Sequence, residues 1–582
     1  MHEARIQSVG GPVVHAVTEA PFQLLEAVQV GELGLPGEVI QLHSGRVVAQ
    51  VYDDTTGLRP GDRVMGTGRP LSVPLGPGLL GRIFDGLLRP LDAAGAAFIG
   101  PGSVSAQTSE RTYAFQPEAV PGAALRPGLP LGRVTVTGRE LPVLVPPDHA
   151  GALDWIAAPG SYRDDQVIAR VHPAGGAEPI ALTLTEHWPV RRPRPVRARM
   201  TPGRPLITGQ RILDTLFPVP RGGRAALPGG FGTGKTILQE ALAKWCDADI
   251  IVYVGCGERG NEMAEVLDEF PQLEDPRTGR PLMDRTVIIA NTSNMPVAAR
   301  EASVYTAITV AEYFRDHGLH VALMADSTSR WAEALRELSG RLGELPSESG
   351  YPAYLSARLA DFYERAARVE TFAGSHGSVT IIGAISPPAG DFSEPVTTHT
   401  KRYVRCFWGL DRGRAQARFY PAIHPLLSYS EEADTLAPWW REQGNPDWSA
   451  NRQRVLTLLE EQARLERMAR IVGKDALPPG QQVTLLNAEL INDGFLRQSA
   501  FSVVDRYCSP TRQTKMLRLL VRFTELADAA VAGGVAPADI AALPILRRLQ
   551  RLGEEVGEDA IQQLDALWDQ LELAFAELGD GS

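Results

Sequence analysis

Eight consecutive residues, Gly229-Gly230-Phe231-Gly232-Thr233-Gly234-Lys235-Thr236, fit the spacing G-x-x-x-x-G-K-[ST]. Glycines placed this way let backbone N–H groups turn inward around phosphate oxygens. Lys235 would reach the β- and γ-phosphates of a nucleotide, and the Thr236 hydroxyl would hold Mg²⁺. Such a cradle needs a fixed frame. Residues 223–228 read as a short strand running into a turn, and Ile237, Leu238, Ala241, Leu242 and Trp245 recur at helical spacing. The order strand, loop, helix sets the positive end of a helix dipole and its first amides against the phosphates.

A phosphate loop also needs an acidic strand end. Residues 320–326 form an apolar run that closes on Asp326, and open α/β sheets bind ligands beyond such carboxyl ends. Asp326 would therefore act on Mg²⁺, directly or through water. Hydrolysis further requires a group that orients and deprotonates water. Glu258, just past the strand expected over residues 248–254, is the candidate; such a group is worth roughly 10²–10⁴ in rate. Arg259 and Arg330 could stabilise charge on the γ-phosphate. The competing reading pairs Glu258 with Arg259 on the surface.

The same stretch contains Gly255-x-Gly257-x-x-Gly260, a dinucleotide fingerprint by pattern. That reading wants an acid near the end of the next strand, which instead ends at Asn291. It is rejected. Adenine needs a flat apolar slot. Phe419-Tyr420-Pro421, Phe495 and Phe501 could sandwich the base if the helical region folds back, with ordinary core packing as the competing account.

The elements that must position these residues follow from the rest of the chain. At 582 residues it should divide into three or four domains. Close turn spacing over residues 1–70 suggests a small β-barrel. A Gly/Pro-punctuated connector and the start of the nucleotide-binding domain occupy 71–110. Residues 111–190 read as an inserted β module, because apolar residues and both Trp155 and Trp188 persist there. Residues 191–197 hold four arginines and two prolines and read as a solvated, stiffened linker, or else a site for an acidic partner. From 191 to 435 strands (248–254, 285–291, 320–326, 378–386) alternate with helices (297–314, 330–338), the α/β pattern. From 436 to 582 the chain is helical, clearest over 454–471, 510–526 and 561–578. A net charge of −11 argues against a general nucleic-acid binder. The four scattered cysteines suggest free thiols in a reducing cytosol. No signal peptide and no run of about 18 apolar residues is evident, so any membrane role is expected through partners.

Several segments carry a more specific likeness. Residues 257–263 (GERGNEM), 326–331 (DSTSRW), 419–425 (FYPAIHP), 75–86 (LGPGLLGRIFDG) and 386–396 (SPPAGDFSEPV) resemble the catalytic A subunit of rotary V/A-type ATPases, over nearly the whole chain and including the β insertion. The resemblance implies a P-loop NTPase core of RecA-like fold with an N-terminal β-barrel, an inserted β module and a C-terminal helical domain. It implies ATP or ADP with Mg²⁺, and B subunits alternating with A in a hexamer that supplies an arginine in trans. Central-shaft and peripheral-stalk subunits and a membrane ion-translocating sector would be reached through the complex, on the cytoplasmic face, with no nucleic acid. It also implies Glu258 as the water-activating carboxylate, Arg259 and Arg330 as phosphate contacts, and Tyr420, Phe495 and Phe501 along the adenine pocket. The alternatives are a hexameric RNA-dependent motor, a secretion-system ATPase, or a nucleotide-binding protein without chemistry.

Overall fold

A computed structural model describes residues 2–91, 111–173 and 178–580. The part of the expected connector over 92–110 lies outside the described residues. The chain forms two compact units. One comprises Met1–Thr201, Ala248–Ser386 and Ser393–Tyr403; the other comprises Pro202–Asp247, Pro387–Phe392 and Val404–Ser582.

The first unit opens with a closed six-stranded antiparallel barrel, from His2–Gly10 to Arg63–Pro70. Alternate residues point inward, so Ile6, Val14, Val28, Val39, Val47 and Val64 fill the lumen. Closure leaves no strand edge to pair with other chains. The inserted module is two four-stranded antiparallel sheets. Leu125, Leu131, Leu153, Val171 and Leu182 belong to its core, whereas Trp155 is partly exposed. The strand Glu186–Pro189 then pairs with Ser72–Leu75, clipping the two ends of the excursion together.

Behind these lies a parallel sheet in the order His376–Ile385, His320–Asp326, Ile250–Glu258, Thr286–Thr292, Arg82–Phe84. Its central strands are buried nearly throughout and read as continuous apolar runs, as parallel strands covered on both faces do. Three-residue Arg82–Phe84 falls in what the sequence suggests is a connector. It is too short to show a period of its own.

The arginine-rich stretch is only half solvated: Arg192 and Arg197 are exposed, but Arg191 and Arg194 are not. Arg191 pairs with Glu38 of the barrel at 2.8 Å and with Glu301 of the helix Val297–Asp316 at 2.7 Å. Arg194 pairs with Glu186 and Asp316, both at 2.6 Å, and is itself buried. Burial alone would raise the Glu301 carboxyl, but the Arg191 guanidinium, aided by Arg358 and the Gln50 amide, holds the group below its ordinary value. Removing one partner strands buried charge. Arg191→Met should therefore destabilise this unit by about 3–5 kcal/mol, read as an earlier thermal transition. The sign with pH follows from the depressed carboxyl: its contribution is full above the unfolded value near 4.5 and is lost as pH falls through the lower folded value.

In the second unit, Arg224–Pro228 runs parallel to Cys406–Phe407, which pairs antiparallel with Tyr429–Ser430. Helices Trp448–Val472, Pro479–Ile491, Pro510–Ala532 and Gln563–Asp580 are its longest among the described residues. Stacked Trp440 and Trp448, with centroids 5.6 Å apart, seal one corner. Arg211 is fully buried, bonds Asp505, and donates to the Phe495 and Arg497 carbonyls at 2.6 Å each. One cation thus fixes the 495–505 loop against the segment that precedes the glycine-rich loop.

Candidate nucleotide site

The loop after Arg224–Pro228 leads directly into the helix Lys235–Trp245. Gly234 caps that helix at φ 79°, a left-handed conformation that costs glycine nothing. No side chain caps it, which suits an N-terminus that presents amides to an anion. Thr233 is buried and donates to the Gly230 carbonyl at 2.8 Å, so its hydroxyl closes the loop. Phe231 is 88% exposed. A Cβ on Gly230 would lie 3.6 Å from Gly390, whose segment 387–392 runs alongside.

Tyr420 borders this loop: a Cβ on Gly234 would lie 3.6 Å from its ring. The Gln498 amide donates to the Tyr420 carbonyl at 2.8 Å, bringing the 495–501 segment beside it. The aromatic residues differ sharply in exposure. Phe495 has no exposed surface, so in this conformation it offers no face to a base; it is core, held where its carbonyl meets Arg211. Phe501 is 80% exposed. Phe419 is covered by Arg414 and Arg497, each 4.5 Å from its centroid.

The acidic residues belong to the first unit. Glu258 is the last residue of its strand rather than just past it, because Ile250–Glu258 continues through Gly255 and Gly257. It is 5% exposed. Its Oε1 lies 3.5 Å from Nε of Arg330, on the helix Thr328–Arg341. Arg259 is a different case, largely exposed and 4.0 Å from Glu262. The competing reading, a Glu258–Arg259 surface pair, is not what forms: Glu258 meets Arg330 and Arg259 lies by Glu262. Asp326 ends the neighbouring strand in register with Gly255 and is buried. Its Oδ2 accepts a hydrogen bond from the Tyr253 hydroxyl at 3.2 Å.

Sequence reasoning missed Arg300. Its side chain lies over Gly257, where a Cβ would come within 2.6 Å of it, and it donates to the Ser293 carbonyl at 3.0 Å. Desolvation pulls its pKa below the ordinary arginine value. Gly257 (φ 77°) is thus explained by this close approach and not by a dinucleotide. An arginine inside the otherwise buried helix Val297–Asp316 was the available signal.

A parallel sheet with an acidic strand end, together with a glycine-rich loop entering a helix, defines a P-loop nucleotide-binding fold. Comparison with known proteins takes this further. The family model for the nucleotide-binding domain of the ATP synthase alpha/beta family matches residues 209–430, and that for the alpha/beta β-barrel domain matches 6–68. The alpha/beta barrel-sandwich domain matches 104–191, and the C-terminal domain of V and A type ATP synthases matches 437–534. The chain is 49% identical to the A subunit of the A-type ATP synthase of Methanopyrus kandleri, over 99% of this chain and 98% of the relative. It is 49% identical to its counterpart in Thermococcus onnurineus (99% of each) and 48% to that in Natronomonas pharaonis (98% and 97%). The chain belongs to the ATP synthase alpha/beta family, among the A subunits of the V and A type. It is accordingly a nucleotide-binding ATPase or ATP synthase component of a multi-subunit complex, and the RNA-motor and secretion-ATPase alternatives fall away. Among the described residues no helix is long and apolar enough to cross a membrane, and all four cysteines are buried and free.

Proposed function

We propose that ATP binds with its triphosphate on residues 229–236 and that Glu258 prepares the water that attacks the γ-phosphate. The observation that carries this reading is the placement of Glu258: a buried carboxylate at a sheet's carboxyl edge, 3.5 Å from Arg330 and one strand from Asp326. Buried beside a cation, it is oriented before substrate arrives. It can accept a proton from water while Arg330 and Arg259 meet the charge that moves onto the γ-phosphate. Lys235 neutralises the β/γ oxygens. Tyr420, beside Gly234, flanks the base; exposed Phe501 is available to it as well, whereas Phe495 would have to leave the core.

The residues fit Mg²⁺. Thr236 supplies a hydroxyl and Asp326 a carboxylate, hard oxygens that suit an ion completing its shell with phosphate and water. When bound, the ion would neutralise charge on the β- and γ-phosphates. The site is completed by an alternating hexamer with B subunits, each giving an arginine in trans. Stalk and shaft subunits connect that ring to an ion-translocating sector of the membrane, with the ring on the cytoplasmic face.

Lys235→Ala tests the binding half of this reading. A charge-assisted contact is worth about 1.5–3 kcal/mol, so the dissociation constant for a fluorescent ATP analogue should rise roughly 10–100-fold. Unchanged affinity would place the triphosphate elsewhere.

A further inference from the structure

Tyr253 sits in the middle of the strand Ile250–Glu258, among residues that are otherwise apolar or small until Glu258. Its ring is buried and packs on Phe270 with centroids 5.5 Å apart. A phenylalanine would satisfy that packing equally well, so the hydroxyl calls for its own account.

The account lies one strand away. Tyr253 is in register with Met324, and Gly255 with Asp326. Tyr253 and Asp326 are therefore diagonal neighbours on one face of the sheet. Gly255, directly opposite Asp326, has no side chain; a Cβ there would lie 1.8 Å from the Met263 methyl, which packs over it. The Tyr253 hydroxyl donates to Asp326 Oδ2 at 3.2 Å across this small residue.

We propose that Tyr253 is a positioning residue for the carboxylate that receives Mg²⁺. Its hydrogen bond fixes the rotation of Asp326 before the ion arrives. Groups that orient a ligand in this way typically govern metal affinity by 10–100-fold. The inference rests on the reading of Asp326 as an Mg²⁺ ligand, and the test separates the two.

In the complex assembled with its B subunits, binding of a fluorescent ATP analogue is measured first in EDTA and then against increasing Mg²⁺. Tyr253→Phe should leave the EDTA affinity unchanged and raise the half-saturating Mg²⁺ by roughly 10-fold or more. Asp326→Asn should shift the same midpoint, and adding Tyr253→Phe to it should move the midpoint no further. A Tyr253→Phe midpoint equal to wild type, with Asp326→Asn shifted, overturns the inference and leaves the site reading standing. Equal losses with and without Mg²⁺ also overturn it, because they mark a merely structural role. An unshifted Asp326→Asn midpoint overturns the reading on which it rests.

Discussion

The purified chain alone is expected to turn over ATP slowly, and adding the proposed B-type partners should raise the rate by roughly 10³–10⁵, the range in which an arginine supplied in trans acts. The physical ground is charge. Phosphoryl transfer leaves the protein little covalent chemistry, so the rate depends on fixed positive charge around the equatorial oxygens. On the proposed reading this chain offers Lys235, Arg330 and the exposed Arg259; in the structure Arg330 stands against Glu258, and Arg259 lies near Glu262. Steady-state ATPase assays of the chain with and without partner decide it. Equal rates would mean that the site is complete within one chain.

The second large effect is at Glu258. Glu258→Gln keeps the size of the side chain and removes its charge, and with it the capacity to take a proton from water. In the assembled complex, turnover should fall by roughly 10²–10⁴ while nucleotide affinity stays near wild type. Losing both together would mark Glu258 as a structural partner of Arg330. The structure makes the two outcomes separable, because Glu258 and the glycine-rich loop are carried by different segments of the chain.

Local signals located most of the elements. The strand expected over 320–326 coincides with His320–Asp326, since an unbroken apolar run between polar flanks has one extent. The helix expected from 454 begins six residues earlier, at Trp448, where partners far along the chain bury what local periodicity leaves ambiguous. Long-range electrostatics was not legible. Arg191 meets carboxylates 153 and 110 residues away, so a run of arginines and prolines reads as solvated until the fold brings Glu38 and Glu301 to it. Glu258 fell outside its expected strand because Gly255 and Gly257 interrupt the β-forming pattern. Their smallness instead admits Met263 and Arg300. Burial of Phe495 and exposure of Phe501 are tertiary facts that aromatic spacing does not carry.

The central claim is that a buried carboxylate at position 258 readies water against a triphosphate held on the glycine-rich loop. Single-turnover cleavage of radiolabelled ATP by the assembled Glu258→Gln complex tests it most directly. The expected result is ATP bound in wild-type amount and left almost entirely uncleaved over the time in which wild type converts it to ADP and phosphate. Conversion at the wild-type rate would contradict the account.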